Sequence, residues 1–398
     1  MTRQHVGRHF LQIPGPTNVP DSVLRAIAAP TIDHRSAEFA ELLAEIDPPL
    51  RRLFDTAAPV VIYTASGTGG WEAALVNTLS PGDTVLAFDN GHFATLWRAL
   101  AENLGLRVEF VPGSWRRGVD PDEVQRRLSA DATTQIKAVM VVHNETSTGV
   151  TSRVQEVRRA IDIAGHPALL LVDTISSLGS IDYHHDAWGV DVTVAGSQKG
   201  MMLPPGLAFN AVSERALAAS AAARLPRSYW DWQAIIAANK IGAFPSTPST
   251  NLLYGLCDAL HRLEREGRKT TLARHARHAH ATRCAVQAWG LELLCEDPSE
   301  YSNSLTAVLL DESHDADALR EIVLERFDLS LGAGLGRLAG RVFRIGHLGD
   351  LNDLMLLGTL CGVEMGLRLV GCPVRASGVA AAMAELETST GPLSARAV

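Results

Sequence analysis

Between residues 60 and 210 short apolar runs alternate with stretches of helical periodicity, and few folds accommodate that pattern. Apolar segments at 60–64, 84–88, 107–111, 137–143, 168–173, 191–195 and 206–210 read as strands, and helices fit between them at 71–79, 94–104, 121–128 and 152–164. Strands separated by helices pair in parallel, with the helices covering both faces of the sheet. The expected fold class is α/β, with a mostly parallel seven-stranded sheet between helices. The stretch 256–289 reads as one long helix rich in arginine and histidine, and after Pro298 the pattern shifts to a smaller α+β unit. The expected boundaries are an N-terminal arm at 1–20, a large domain at 21–259 and a small C-terminal domain at 260–398.

Within this frame Ser197-Gln198-Lys199-Gly200 follows the apolar run that starts at Val190. An ammonium held near low dielectric loses hydration, its pKa falls, and the neutral amine can form a Schiff base with an aldehyde or ketone. Asp173 ends the run 168–173, where a carboxylate suits holding a proton on a pyridine ring. Each residue alone has a plainer alternative: Lys199 as a solvated loop lysine, Asp173 as the cap of a helix beginning at Thr174. As a pair, 26 residues apart and each after its own strand, they point to pyridoxal phosphate.

Composition narrows the classes of function. With 398 residues and 46% hydrophobic content the chain can bury a large core divided between two domains. Its formal net charge is −8, from 36 Lys+Arg against 44 Asp+Glu, so no global basic field exists to hold nucleic acid, and small molecules are the expected partners. Cys257, Cys284, Cys295, Cys361 and Cys372 are odd in number and lack C-x-x-C spacing, as expected of reduced structural thiols in a cytoplasmic protein. No segment approaches the roughly 18–20 apolar residues that cross a bilayer, and residues 1–10 lack an apolar signal core. The final Ser394-Ala395-Arg396-Ala397-Val398 does not match a peroxisomal address. A soluble, unexported protein is expected.

The segment from Val60 to Glu72 reads as strand, glycine-rich turn and helix, with Ser66-Gly67-Thr68-Gly69 at the turn. Such a turn aims backbone N–H groups and a helix dipole at an anion, and Ser66 and Thr68 add hydroxyls. The alternative is a tight connection that needs glycine only for its backbone. A dinucleotide site would also want glycines here and an acid like Asp89, 22 residues after Gly67, but its third glycine position is occupied by Glu72. A dehydrogenase would, besides, leave Lys199 without a role. His143-Asn144-Glu145-Thr146-Ser147-Thr148-Gly149 falls at the carboxyl edge of the sheet, where doubly wound folds bind ligands, or is a polar surface turn. Phe93, in Gly91-His92-Phe93, offers an aromatic face to a cofactor ring or fills the core. Arg344 sits inside the apolar run Val342-Phe343-Arg344-Ile345-Gly346, so its guanidinium needs an anion: a substrate carboxylate or an internal partner.

These motifs, in this order, resemble the class V, fold type I aminotransferases, specifically the alanine/serine/aspartate–glyoxylate group. The resemblance runs from Ile13-Pro14-Gly15-Pro16-Thr17-Asn18 through Pro204-Pro205-Gly206 to Phe343-Arg344-Ile345-Gly346-His347-Leu348-Gly349. It implies the PLP-transferase fold type I and transfer of an amino group from serine, alanine or aspartate to glyoxylate, giving glycine and a 2-oxo acid in ping-pong order. It also implies that Lys199 carries pyridoxal 5′-phosphate and moves the substrate proton, that Asp173 holds the ring nitrogen and that Phe93 stacks on the ring. Ser66, Gly67, Thr68 and Gln198 would bind the phosphate, Thr146 would lie near the ring oxygen, Gly15 would line the substrate pocket and Arg344 would grip the substrate carboxylate. A homodimer with shared active sites is implied, Thr247 in Phe244-Pro245-Ser246-Thr247-Pro248 matching a phosphate ligand lent between subunits. Relatives commonly carry a tyrosine around residues 244–246, and some a tryptophan in place of Phe93; this chain departs at both.

Other clusters read as less chemical. His275, His278 and His280 with Arg274 and Arg277 could bind metal or nucleic acid, but lie on a helix that also needs a solvated face, and no partner ligands for a structural zinc are evident, so no metal is expected. His184-His185-Asp186 reads as a surface turn. Cys361 and Cys372 would matter if the chemistry were that of a cysteine desulfurase, yet their apolar, helix-like surroundings favour core thiols. The amino donor stays open: no second arginine is assignable to a distal carboxylate, and His347, Arg35 and Tyr63 could each approach the donor side chain.

Overall fold

The computed structural model describes residues 7–389; residues 1–6 and 390–398, including the start of the expected N-terminal arm and Ser394–Val398, lie outside the described residues. In chain order the strands are β1 (Phe10–Gln12), β2 (Val60–Ala65), β3 (Thr84–Asp89), β4 (Arg107–Pro112), β5 (Ile136–Val142), β6 (Asn144–Glu145) and β7 (Val150–Thr151). They continue as β8 (Leu169–Asp173), β9 (Val192–Gly196), β10 (Gly206–Val212), β11 (Glu292–Leu293), β12 (Leu305–Leu309), β13 (Leu329–Ala333) and β14 (Val342–Gly346). The central sheet has seven strands in the order β2-β10-β9-β8-β5-β3-β4. Five of them, β9 to β4 in that order, pair in parallel, while β10 is antiparallel to both of its neighbours.

Burial on both faces explains why these segments are apolar throughout. Along β8, Leu170 and Val172 pack into one core and Leu169 and Leu171 into the other; along β5, Val139 and Val141 face the first, and Ala138, Met140 and Val142 the second. Each such aliphatic side chain contributes about 1.5–3 kcal/mol by leaving water, so a polar residue on either face would be selected against by the fold itself. The helices Gly67–Thr78, His92–Asn103, Pro121–Ala130 and Val154–Ile163 stand between the strands, the first starting four residues earlier than its periodicity predicts because the glycines belong to the helix.

A second sheet, β1-β13-β14-β12-β11, surrounds a separate core containing Val308, Leu331, Phe343 and Ile345. The expected arm contributes to it directly: β1 pairs in parallel with β13, Phe10 opposite Leu329, and Gln12 Nε2 donates to Gly346 O at 2.8 Å. This places residues 13–17 across the gap between the two sheets. We propose a division into large and small domains near residue 260 on the strength of the separate cores, with the physical joint at Gly267.

That joint corrects one expectation. The stretch 256–289 is two helices, Thr250–Glu266 and Arg268–Trp289, broken at Gly267, whose φ of 82° suits a residue without a side chain. The break lets Arg274 turn back to Glu266, Nε to Oε1 at 2.6 Å. The arginine- and histidine-rich face is also not solvated throughout: His275 is buried between Thr271 O and Gly349 N, and His278 is buried against Asp353, which Arg277 shares; His280 alone of the three is exposed. In the expected surface turn, His185 is buried, its Nδ1 2.7 Å from Thr193 Oγ1. Cys372 is a core thiol as expected, whereas Cys361 is exposed on the helix Asp353–Leu369. Among the described residues no helix is long and apolar enough to cross a membrane.

Candidate active site

The carboxyl ends of β8, β9 and β2 lie on one edge of the central sheet, where the turn after β9 meets the 13–17 segment and the chemistry-bearing residues converge. After β9 the chain turns through Ser197–Gly200 and buries Lys199 to 8% exposure, its Nζ donating to Pro14 O. Thr17 fixes this turn from across the gap: its N–H donates to Gln198 O and its hydroxyl to Lys199 O, both at 3.1 Å. Gly15, with φ 94°, lies so close that a Cβ built on it would stand 2.6 Å from Nζ. Lys199 is thus not a solvated loop residue. Burial first, and then the Arg344 guanidinium, push its pKa down to about 8, with Asp173 opposing.

Asp173, at the end of β8, is 4% exposed. Its Oδ2 accepts from Trp71 Nε1 at 3.0 Å and its Oδ1 from Ile175 N at 2.6 Å. It therefore does hold the backbone that follows it, but residues 175–180 form turns rather than the helix one alternative expected. Burial pushes its carboxyl up to about 7, aided by buried Glu145 and opposed by Ile175, Trp71 and Lys199. A carboxylate this desolvated gains most from a cation placed against it.

The glycine-rich turn opens the helix Gly67–Thr78 with Ser66 at its N-cap, and the Ser66 hydroxyl makes no capping bond. The first N–H groups of any helix lack intrahelical partners, so this end presents donors and a positive dipole. Ser66 and Thr68 are exposed and Gly67 is buried. A Cβ built on Gly67 would lie 2.8 Å from Ile175 Cγ1, so glycine lets the helix end approach the loop that bonds Asp173. The Gln198 side chain reaches the same corner: Gln198 Oε1 and Gly67 N lie 3.1 and 3.6 Å from a Cβ built on Gly196, and Oε1 is buried with no hydrogen-bond partner among the described residues. Glu72, where a dinucleotide turn would need its third glycine, accepts from Trp230 Nε1 at 3.0 Å.

Arg344 comes from β14 and is 7% exposed. Its Nε donates to Ala333 O and one terminal nitrogen to Thr146 O, both at 2.7 Å, and it makes no ion pair among the described residues. Desolvation lowers its pKa to about 10, with Glu145 opposing. Glu145 does not serve as an internal partner: its carboxylate accepts from Ser147 N at 2.9 Å, Ser147 Oγ at 2.6 Å and Ala94 N at 3.1 Å. The hairpin β6–β7 that carries Glu145 is thus tied to the helix His92–Asn103, whose first turn holds Phe93 half-buried. Thr146 Oγ1 donates to Ser176 Oγ at 2.7 Å, joining that hairpin to the loop after Asp173.

Of the residues singled out from sequence, Lys199, Asp173, Gln198, Gly15, Gly67, Thr146 and Arg344 are joined by these contacts, with Ser66, Thr68 and Phe93 on the adjoining helix ends. Thr247 is exposed and is not drawn to the site within this chain. Two candidates for the donor side chain are locked elsewhere: Tyr63 OH lies between Asn210 Oδ1 and Trp232 Nε1, and buried His347 contacts Thr306 and Asn303. Arg35 is exposed. Sequence reasoning missed Trp71, Ile175, Ser176 and Pro14. Trp71 could have been found, since it sits one helical turn beyond Gly67 and so on the same face.

The class-V aminotransferase family model matches residues 9–335. Over 387 residues the chain is 48% identical to a serine–glyoxylate aminotransferase of Methylorubrum extorquens, covering 96% of each chain. Over 380 residues it is 45% identical to an L-aspartate–glyoxylate aminotransferase of Paracoccus denitrificans, covering 95% of this chain and 96% of the other. Its fold matches the solved pyridoxamine–pyruvate aminotransferase from Mesorhizobium loti with a TM-score of 0.90 at 27% identity, over 98% of this chain and 100% of that one. The family match over most of the chain and the relatives named as aminotransferases agree with a buried lysine and a buried aspartate at one sheet edge: the chain belongs to the class-V aminotransferase family and is a pyridoxal-phosphate-dependent aminotransferase.

Proposed function

We propose that the protein transfers the amino group of a small L-amino acid, serine, alanine or aspartate, to glyoxylate, giving glycine and a 2-oxo acid by a ping-pong mechanism. The observation that carries this reading is the edge of the central sheet, which holds a buried amine of lowered pKa and a strand-end carboxylate, together with an arginine from the second sheet that has no ion-pair partner among the described residues. The serine– and aspartate–glyoxylate relatives support the choice of acceptor.

The donor set fits pyridoxal 5′-phosphate. The Gln198 amide has an unpaired buried oxygen, and turning the amide would present its NH₂ to an anion beside the open helix end at Ser66, Gly67 and Thr68. Phe93 would stack on the ring, Thr146 would face its oxygen, Asp173 would hold the proton on its nitrogen and Lys199 would bind its aldehyde carbon. When bound, the cofactor supplies an electron sink for the substrate Cα–H bond. Trp71 and Ile175 favour the anionic form of Asp173, which would in turn keep the ring nitrogen protonated when the cofactor is bound. Lys199 Nζ takes the Cα proton of the donor in the first half-reaction and returns one to the glyoxylate-derived carbon in the second, a task for which a pKa of about 8 suits it. Arg344 spends Nε and one terminal N–H on backbone carbonyls, so its remaining N–H groups hold the α-carboxylate in a fixed plane. Exposed Thr247 would serve the phosphate of a partner subunit in a homodimer. A reducing cytoplasm suits the five unpaired cysteines. Cysteine desulfurase chemistry is not favoured, because Cys372 is buried in the C-terminal core and Cys361 lies on a helix.

The test is a half-reaction. Mixing loaded enzyme with a donor in the absence of glyoxylate should release one 2-oxo acid per site, and double-reciprocal plots at several glyoxylate concentrations should be parallel. Intersecting plots with no product until both substrates are present would contradict the ping-pong order.

A further inference from the structure

We propose that the His92 imidazole reads the side chain of the amino donor as a hydrogen-bond partner, so that the site prefers serine to both alanine and aspartate; this rests on the transamination reading above and names its donor.

Two bonded paths place His92 beside Arg344. Consecutive residues of the β6–β7 hairpin hold the two: Thr146 O accepts from Arg344 at 2.7 Å, and Ser147 Oγ accepts from His92 N at 3.0 Å. On the other side, the segment leaving β13 takes Arg344 Nε on Ala333 O and three residues later passes His92 at Gly336. Gly336 has φ 56°, and a Cβ built on it would lie 3.2 Å from His92 Nδ1, so glycine leaves the ring its space. A donor whose α-carboxylate sits on Arg344 carries its β-carbon two bonds away, and His92 is close enough to that guanidinium to feel its charge.

The ring is suited to a hydroxyl. It is part-exposed, and neither ring nitrogen has a hydrogen-bond partner among the described residues, which leaves one donor and one acceptor for a ligand. Burial, and then the positive Arg344, push its pKa down, which keeps it uncharged at neutral pH. A serine hydroxyl satisfies such a ring, whereas an alanine methyl leaves it unpaired. A side-chain carboxylate would need a cation, and the nearby Arg337 is committed. It pairs with Asp89 and stacks 4.4 Å over the Trp115 ring, while Trp115 Nε1 donates to Asp89 at 2.7 Å.

The experiment compares kcat/KM for serine, alanine and aspartate with glyoxylate in the wild type, His92→Phe and His92→Asn. Alongside, calorimetry measures the binding of 3-hydroxypropionate and propionate, the same side chains without the amine, to each loaded protein. The expected result is a wild-type preference for serine of roughly tenfold or more over alanine and over aspartate, with tighter binding of 3-hydroxypropionate than of propionate. In His92→Phe both the serine-over-alanine and the binding ratio should approach one, and His92→Asn, which keeps a donor and an acceptor, should keep part of each. Ratios unchanged in His92→Phe, or a wild type that prefers alanine or aspartate, would overturn the proposal. If the wild type fails to use glyoxylate at all, the transamination reading falls, while the calorimetric ratio still decides the role of His92.

Discussion

Replacing Lys199 by methionine should make the cofactor-free protein more stable while abolishing its activity. The substitution keeps an unbranched stem of similar length and removes a charge that the fold holds almost out of water. The amine titrates near 10.5 in the unfolded chain and at about 8 in the fold, so keeping it protonated in the folded state costs about 3 kcal/mol at pH 7. Against this, the hydrogen bond to Pro14 O contributes about 1 kcal/mol, so the net gain is about 2 kcal/mol. Because the folded pKa lies below the unfolded one, the unfolded state binds the extra proton between pH 8 and 10.5. Wild-type stability attributable to this group therefore rises with pH through that window, and the penalty is full below pH 8 and gone above 10.5. Urea unfolding of both cofactor-free proteins at pH 7 and pH 10.5 reads the difference: the methionine variant should lead at pH 7 and lose that lead at 10.5. A variant equal to or weaker than the wild type at pH 7, or a lead that does not shrink with pH, would refute the reasoning.

Asp173→Asn keeps the shape and the bonding to Ile175 but cannot be anionic; the first half-reaction should slow about 100- to 1000-fold in stopped-flow measurements with donor affinity little changed. Arg344→Lys keeps a charge but loses the planar fork, so the donor KM should rise about 10- to 100-fold in steady-state assays with a smaller effect on kcat. Gly15→Ala places a methyl 2.6 Å from Lys199 Nζ and strains a backbone at φ 94° by about 1–2 kcal/mol. Thermal unfolding should shift downward by a few degrees, and the fraction of protein covalently loaded with cofactor should fall.

The central sheet was legible because burial on both faces writes itself into sequence: every strand from β2 to β10 in that sheet begins and ends within two residues of its apolar run. Lys199 and Asp173 were legible for a related reason, as ionisable residues terminating such runs. What escaped depends on partners distant in sequence. Three residues at Phe10–Gln12 carry no periodicity, and they become a strand only because Leu329–Leu331 lies alongside. Gly267 ends one helix and starts the next in a stretch whose polar pattern continues unbroken. His275 and His278 looked solvated because the groups that bury them, Gly349 and Asp353, come about 75 residues later. Arg344 left two readings open until its neighbours were known: its polar contacts are backbone carbonyls, and Glu145 is occupied by N–H and O–H donors.

The most direct measurement is the visible absorbance of the purified protein reconstituted with pyridoxal phosphate, followed as serine and then glyoxylate are added. The account predicts a visible band that is absent in Lys199→Ala, is bleached by serine alone and returns with glyoxylate as glycine forms. A protein that acquires no band on reconstitution, or whose band no donor bleaches and glyoxylate does not restore, would contradict it.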